Sequence, residues 1–399
     1  MAKKIKGLWI GDAVVSTGFA RVNHSVIESL PKYKYDIHHL GINYFGDPHP
    51  FKHKIYPAAI GTQGDLYGLN RVVDLIRHVS PDFIFILNDP WMIDVYLEKI
   101  KEAKLGGIPI VAYFPVDAEE HSAAYYRHFD IVDAVCIYTK FGMRVLLQAG
   151  APYVTPDKMH VIPHGIDTRL FFPIDKEQAR SSVYPQNRLE EFMNSFIILN
   201  ANRNQPRKRI DITMWAFREF QKNKADVKLY LHMGITDMGI NIIEKSAQYG
   251  FDNKLVVSAM TPYIPGVPDT RMNEIYNATD VGINTSLGEG WGLTNWEHAA
   301  TGKPQILPNN SVHNEVWGDN VILVDTIMPQ MIDRVNTVGQ VVSIDGMVRA
   351  FEWAYIDWKN GGSALQELGN KALARVTEEQ FSWEEVGKKF HKVFQSVIK

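Results

Sequence analysis

A chain of 399 residues, 45% hydrophobic and 22% charged, is long enough for two domains with separate cores and is ordinary in composition for a soluble globular enzyme. The net charge of −3 argues against a strongly basic nucleic-acid platform and leaves room only for a local basic groove. A single cysteine excludes an internal disulfide, and no apolar run reaches the roughly 18–20 residues that span a bilayer. Cys136 lies in the apolar run 131–138 and reads as a buried, inert thiol, which fits a reducing compartment. The opening MAKKIKGLWIG sets a short strand-like run directly behind its charges and lacks the apolar core of a signal peptide, so a cytosolic start is expected.

Short apolar runs alternate with amphipathic helical patterns along the chain. Strands are expected at 5–10, 36–40, 82–87, 108–114, 132–138 and 160–162, with helices such as 69–79 and 141–150 between them. A second series is expected at 196–200, 228–232, 255–258, 281–284, 305–307 and 321–324. Such alternation implies βαβ units and parallel, doubly wound sheets, and two series fit two Rossmann-like domains. The break between them is expected within 167–194, a stretch with FFP, YPQN and many charges. The last segment, 381–399, carries Trp383, Val386, Phe390, Val393, Phe394 and Val397 at helical spacing behind a candidate N-cap, Ser382.

Candidate site residues sit where strands end. After the first strand comes GDAVVSTGFAR, in which Asp12 is a candidate ligand contact. Gly18 would let an anion or sugar approach the backbone at a helix start. Ser16 or Thr17 as N-cap explains the same residues, and the spacing does not match the dinucleotide pattern GxGxxG. Asn88-Asp89-Pro90-Trp91 follows the strand at 82–87; Asp89 either lines an acceptor pocket or belongs to an Asx-Pro turn. Ligands in open α/β sheets bind outside the carboxyl ends of strands. Beyond the strand at 108–114 the nearest ionisable side chain is Asp117, with His121 four residues later. Asp117 could take a proton from an acceptor hydroxyl, bond a sugar hydroxyl, or cap the next helix.

The loop NANRNQPRKR at 200–209 holds Arg203, Arg207, Lys208 and Arg209 beside a helix start. An Arg fork and a Lys point charge match a diphosphate; the alternative is a solvated basic loop. As a nucleic-acid patch it is short and lacks flanking aromatic residues. Further on, 280–285 reads as a buried strand, followed by a glycine-rich bend and a helical pattern stopped by Gly302 and Pro304. Glu289 and Glu297 lie eight positions apart across the bend, and Gly288, Gly290 and Gly292 remove side chains where a ligand could approach. The helix would aim its free N–H groups at that ligand. This suits a molecule carrying both phosphates and hydroxyls. Thr294-Asn295-Trp296-Glu297 also reads as a capping box, which would make Glu297 a helix-start device. No CxxC, HExxH or clustered His/Asp set predicts a metal, and no Gly-x-Ser-x-Gly elbow predicts a hydrolase.

The string Glu289-Gly290-Trp291-Gly292-Leu293-Thr294-Asn295-Trp296-Glu297 resembles the nucleotide-sugar signature of the retaining glycosyltransferases of the GT-B fold, family 4, also called group 1. That signature is a Glu, seven residues and a second Glu, with Gly-aromatic-Gly after the first. The resemblance implies that Glu289 faces the donor sugar hydroxyls and Glu297 the ribose. It also implies that Gly290, Trp291, Gly292, Leu293 and Thr294 lend backbone N–H groups. Arg203 and, five residues on, Lys208 match the family's pyrophosphate-binding pair, and the loop at Gly18 resembles its glycine-rich first loop. VIPHGID at 161–167 resembles the interdomain string, which makes His164 and Asp167 structural, and 260–268 resembles the loop that holds the donor base. The family places a His near the end of the fourth strand; here Asp117 is nearest, with His121 beyond it.

The implied architecture is α/β, with two Rossmann-like doubly wound parallel-sheet domains facing across a cleft. The first, 1–180, would bind the acceptor and be joined by the final helix, 381–399, crossing back to it; the second, 190–380, would bind the nucleotide sugar. The implied activity is retaining, metal-independent transfer of a sugar from a nucleoside diphosphate sugar to an acceptor hydroxyl. Asp117, Arg203, Lys208 and Glu289 form the expected catalytic set, and Asp12, Asp89 and His121 the expected acceptor contacts. No cofactor is expected beyond the donor as co-substrate, with a UDP-sugar favoured over a GDP-sugar, and the location is cytoplasmic. Glycan, small-molecule and hydroxylated nucleic-acid-base acceptors fit. The first domain has no basic amphipathic helix of the kind a membrane-bound acceptor would call for. A nucleotide-sugar epimerase, a phosphorylase and a non-catalytic nucleotide-sugar binding protein are the competing readings, since the fold is reused.

Overall fold

In the computed structural model, which describes residues 3–59, 64–105, 107–263 and 265–398, the apolar runs of the first half form one seven-stranded parallel sheet. Its strands are β1 (Ile5–Asp12), β2 (Tyr35–Ile42), β3 (Lys54–Pro57), β4 (Phe83–Leu87), β5 (Ile110–Phe114), β6 (Ala134–Ile137) and β7 (Met159–Val161), in the order β3-β2-β1-β4-β5-β6-β7. Every residue of β4, β5 and β6 is buried. Helices cover both faces of such a sheet, so its central strands are continuous apolar runs rather than alternating ones. The short edge strand β3 was not anticipated. Lys54, Tyr56 and Pro57 dilute its apolar signal, and only Ile55 is buried.

The last helix, Trp383–Val397, belongs to this unit, which comprises Met1–Val116, Glu120–Gly165 and Glu379–Lys399. Ser382 is its N-cap and accepts from Glu385 N at 3.1 Å. Phe394 packs on Trp9 and Phe83 with ring centroids 5.7 and 4.6 Å apart, and Phe390 meets Phe85 at 5.5 Å. The helix lies so close to helix Gly18–Ser29 that a Cβ on Gly387 would stand 2.3 Å from Ser29 Oγ.

The second unit, Asp117–Glu119 with Ile166–Glu378, holds a six-stranded parallel sheet. Its strands are β8 (Phe196–Asn200), β9 (Val227–Leu231), β10 (Leu255–Val257), β11 (Val281–Ile283), β12 (Gln305–Pro308) and β13 (Ile322–Val324), in the order β10-β9-β8-β11-β12-β13. An antiparallel hairpin, β14 (Thr326–Ile332) with β15 (Thr337–Val342), follows. It too was unanticipated: most of β14 is exposed, so no buried face marks that strand in the sequence. Its turn uses positive φ at Arg334 (69°) and Asn336 (50°), which carry none of the usual Gly signal.

Two pieces of chain join this unit through specific bonds. Asp117–Glu119 is tied to the hairpin by Glu119 N to Val338 O and Val338 N to Glu119 O, each 2.9 Å. Residues 166–180, assigned by the sequence reading to the first domain, pack with the second unit because of one buried guanidinium. Arg180, 1% exposed, donates to Asp280 Oδ2 at 2.7 Å and to the carbonyls of Ala278, Phe192 and Met193. Lys176 Nζ completes the carboxylate at 2.5 Å, and Ile197 N donates to it at 2.7 Å.

Removing one partner of a buried ion pair leaves an uncompensated charge. Asp280→Ala is therefore expected to cost about 3 kcal/mol or more in chemical denaturation; a change under about 1 kcal/mol would show that Arg180 does not depend on it. Burial also lowers the pKa of several imidazoles, to about 4 for His24, His53, His232 and His313 and to about 3 for His164 and His298. Each is a base whose folded pKa lies below its unfolded value near 6.5, so the unfolded chain binds more protons. Stability should hold above pH 6.5 and fall as the pH drops through 6.5 toward 4, read as the urea midpoint at successive pH values. A flat midpoint across that window would contradict the neutral, buried rings.

Candidate active site

In the second sheet the strand order reverses between the neighbours β8 and β11. That is where an open α/β sheet leaves a crevice at the carboxyl ends of its strands. The loops leaving those two strands, 201–209 and 284–292, meet there. Leu287 N donates to Arg207 O at 2.9 Å, and Thr285 Oγ1 donates to the carbonyls of Lys208 and Arg209, at 3.1 and 2.9 Å. With the backbones locked, Lys208 Nζ reaches Glu289 Oε1 at 2.5 Å. Asn284 Nδ2 donates to the same oxygen at 3.0 Å. Arg207 Nη1 lies 2.5 Å from Gly288 O, 3.2 Å from Asp117 Oδ2 and 3.8 Å from Glu289 Oε2.

The pair is largely withdrawn from water, the side chains of Lys208 and Glu289 being 12% and 6% exposed. Burial alone would raise the pKa of Glu289. The charges of Lys208 and Arg207, with the Asn284 bond, outweigh it and hold the carboxyl at about 2. Burial lowers the pKa of Lys208 against the opposing pull of Glu289. The cluster is thus a fixed carboxylate flanked by two cations, built at the end of a parallel sheet.

The remaining expected residues fall in several places. Arg203 does not join this cluster: its guanidinium forks onto Asp237, with Nε–Oδ2 and Nη2–Oδ1 both 3.0 Å, so it would have to leave that carboxylate to reach a phosphate. Arg207 stands beside Lys208 instead. Asp117 is brought to the site by packing with the second unit, 3.2 Å from Arg207.

The bend behaves differently from its sequence reading at two points. Gly288 does not open space for a ligand, because a Cβ there would come within 1.8 Å of the Asp117 carbonyl oxygen. The capping box does not form, since helix Leu293–Ala299 starts after Gly292, with Thr294 and Glu297 inside it. Buried Glu297 accepts from Tyr276 OH at 3.1 Å, and Thr294 Oγ1 lies 3.5 Å from Asn202 Oδ1. Trp291 turns its ring inward, 5.0 Å from Trp296, which in turn meets Trp317 at 5.0 Å. Gly290 is buried and Leu293 half-buried. Of the 260–268 loop, residue 264 lies outside the described residues.

In the first unit the order reverses between β1 and β4; Asp12 ends β1, Gly18 opens the helix that follows it, and Asp89 lies just beyond β4. Asp12 accepts from Thr17 Oγ1 at 2.6 Å and from Asn43 Nδ2 at 3.1 Å; burial raises its pKa against both bonds. Thr17 caps the helix that Gly18 begins, by accepting from Ala20 N. Asp89 is the N-cap of helix Pro90–Glu102, its N–H bonded to Asn88 Oδ1 at 2.8 Å. His121 is buried, with Nδ1 2.7 Å from Tyr126 OH.

The sequence reading named Arg207 in the basic loop but gave the pairing with Lys208 to Arg203, and it passed over Asn284. Arg207 had a signal, being adjacent to Lys208 in the basic run; Asn284 had only its place at the end of β11. Among the described residues, no group of three or more His, Cys, Asp or Glu is placed to hold a metal ion.

Residues 186–336 match the family described as Glycosyl transferases group 1. D-inositol 3-phosphate glycosyltransferase of Acidothermus cellulolyticus is 29% identical over 153 residues, which is 38% of this chain and 33% of that protein. The chain's matches span between a third and about half the length of such curated relatives. Sucrose-phosphate synthase from Thermosynechococcus elongatus superimposes over 99% of both chains with a TM-score of 0.73 at 13% identity. The pneumococcal O-GlcNAc transferase GtfA, solved with UDP and GlcNAc, covers 82% of this chain and 59% of its own with a TM-score of 0.57 at 18% identity. The chain has the GT-B fold, and its segment 186–336 matches the glycosyl transferases group 1.

Proposed function

We propose that this chain is a glycosyltransferase that takes a nucleoside diphosphate sugar as donor and transfers the sugar with retention of configuration. The observation that carries this reading is the meeting of Arg207 and Lys208 with Glu289 at the switch point of the second sheet. Two fixed cations suit a diphosphate, and a carboxylate kept ionised beside them suits sugar hydroxyls. The similar pneumococcal transferase was solved with UDP and GlcNAc, which puts UDP-sugars first among donors.

The chemistry asked of these residues is electrostatic. The anomeric carbon–oxygen bond breaks with its electron pair going to the leaving phosphate. The acceptor oxygen bonds to the same face of the carbon, and the departing phosphate oxygen takes the acceptor's proton. Arg207 and Lys208 stabilise the charge that grows on the diphosphate, and Asp117 holds Arg207 in place at 3.2 Å. Glu289 orients the sugar, and no carboxylate nucleophile is needed. Glycan, small-molecule and hydroxylated nucleic-acid-base acceptors all present the hydroxyl required.

The test is a thermal-shift panel of UDP-, GDP-, ADP- and dTDP-sugars on the native chain and on Lys208→Met and Glu289→Gln. Saturating ligand that binds only the folded state should raise the native melting temperature by several degrees with one nucleotide. Lys208→Met should weaken nucleotide and nucleotide sugar alike; Glu289→Gln should weaken the nucleotide sugar more than the bare nucleotide. No shift with any member would overturn the reading. Turnover of the bound donor without an acceptor would favour an epimerase, and dependence on free phosphate a phosphorylase.

A further inference from the structure

His313 opens helix His313–Trp317, five residues beyond the end of β12, and is fully buried. Its Nδ1 lies 2.9 Å from Pro308 O. A carbonyl oxygen only accepts, so Nδ1 carries the proton and Nε2 presents a bare lone pair. Burial lowers the ring's pKa to about 4, so the imidazole stays neutral at physiological pH. Among the described residues Nε2 has no hydrogen-bond partner. A buried acceptor left unpaired is costly, and such a group calls for an explanation.

The surroundings of Nε2 supply one. A Cβ on Gly292 would stand 3.7 Å from Nε2 and 3.9 Å from Glu289 Cγ. Gly292 also holds φ at +88°, where a side chain is strained. The bare glycine therefore separates two acceptors, a neutral imidazole nitrogen and an ionised carboxylate. An anion placed there would meet the charge of Glu289 and gain nothing from a lone pair. A group with several hydroxyls could donate to both.

We infer that His313 Nε2 accepts a hydrogen bond from a hydroxyl of the donor's sugar and is a specificity-determining contact for that hydroxyl. This deepens the donor reading above and rests on it. The bond is worth most as discrimination: an analogue lacking the hydroxyl leaves the buried nitrogen unpaired, whereas the true sugar satisfies it.

Calorimetric titration of UDP, UDP-glucose and its monodeoxy analogues against native chain, His313→Leu and His313→Gln tests this. Native chain should bind UDP-glucose more tightly than UDP and reject one monodeoxy analogue by at least about tenfold. In His313→Leu that ratio should collapse toward one, with UDP affinity kept within about twofold because the diphosphate contacts are untouched. His313→Gln, which keeps an acceptor oxygen, should recover part of the ratio and serves where His313→Leu fails to fold. Discrimination that survives in either variant at its native ratio overturns the inference, as does equal loss of UDP and UDP-glucose in a folded variant. UDP-glucose binding no tighter than UDP to the native chain overturns it as well, while leaving the nucleotide site standing. Binding of neither ligand to the native chain overturns the donor reading itself, and this inference with it.

Discussion

The contact between Lys208 and Glu289 constrains the site more than any other. Each charge is expensive to bury alone, and neither side chain can move without stranding its partner. Their loops leave neighbouring strands, so the pair also pins the carboxyl ends of β8 and β11 to each other. A chain of amides extends the constraint. Asn284 bonds Glu289 and Asn295, at 3.0 and 3.1 Å, and Asn295 Nδ2 bonds Gln305 at 2.9 Å, which carries the connection into β12. A polar network in a low-dielectric interior is rigid when its members are satisfied. That is the condition for holding charge against a diphosphate before the reaction starts.

The glycines of the bend divide the work around this pair. Gly288 lets the Asp117 carbonyl come so close that no side chain fits, and that approach sets the Asp117 carboxylate beside Arg207. Gly292 instead takes a left-handed backbone and keeps open the space between Glu289 and His313. Between them Trp291 turns inward toward Trp296 and Trp317, anchoring the loop by aromatic packing. One glycine serves protein packing and another is suited to ligand access, a division that identical letters in a string do not reveal.

Solved structures only 13–18% identical share the fold, which shows how little of it depends on particular side chains. The requirements are buried apolar strands, crossover helices and a reversal of strand order; many sequences meet them. The second unit adds requirements of its own. Arg180 and Asp280 bind the segment before β8 to the sheet, and Glu119 with Val338 binds Asp117–Glu119 to the hairpin. The first contact joins residues 100 positions apart and the second residues more than 200 apart, so no local pattern announces them.

Twelve of the thirteen parallel strands were legible in the sequence, because a strand covered on both faces is a continuous apolar run and needs no partner to be recognised. The same holds for the final helix, whose apolar stripe and Ser382 cap are local features. Lys208 and Glu289 were legible as well, through charge at strand ends and the Glu-Gly-Trp-Gly string. Edge strand β3 and the hairpin were not, since β3 buries only Ile55 and most of β14 is exposed. Tertiary structure alone decided that Arg203 pairs with Asp237 while Arg207 joins the cluster, since both guanidiniums lie on one basic loop and only the position of distant carboxylates separates them. It alone decided that a histidine 24 residues beyond Glu289 faces the same glycine, because proximity across a crossover connection is a property of the sheet and not of the spacing.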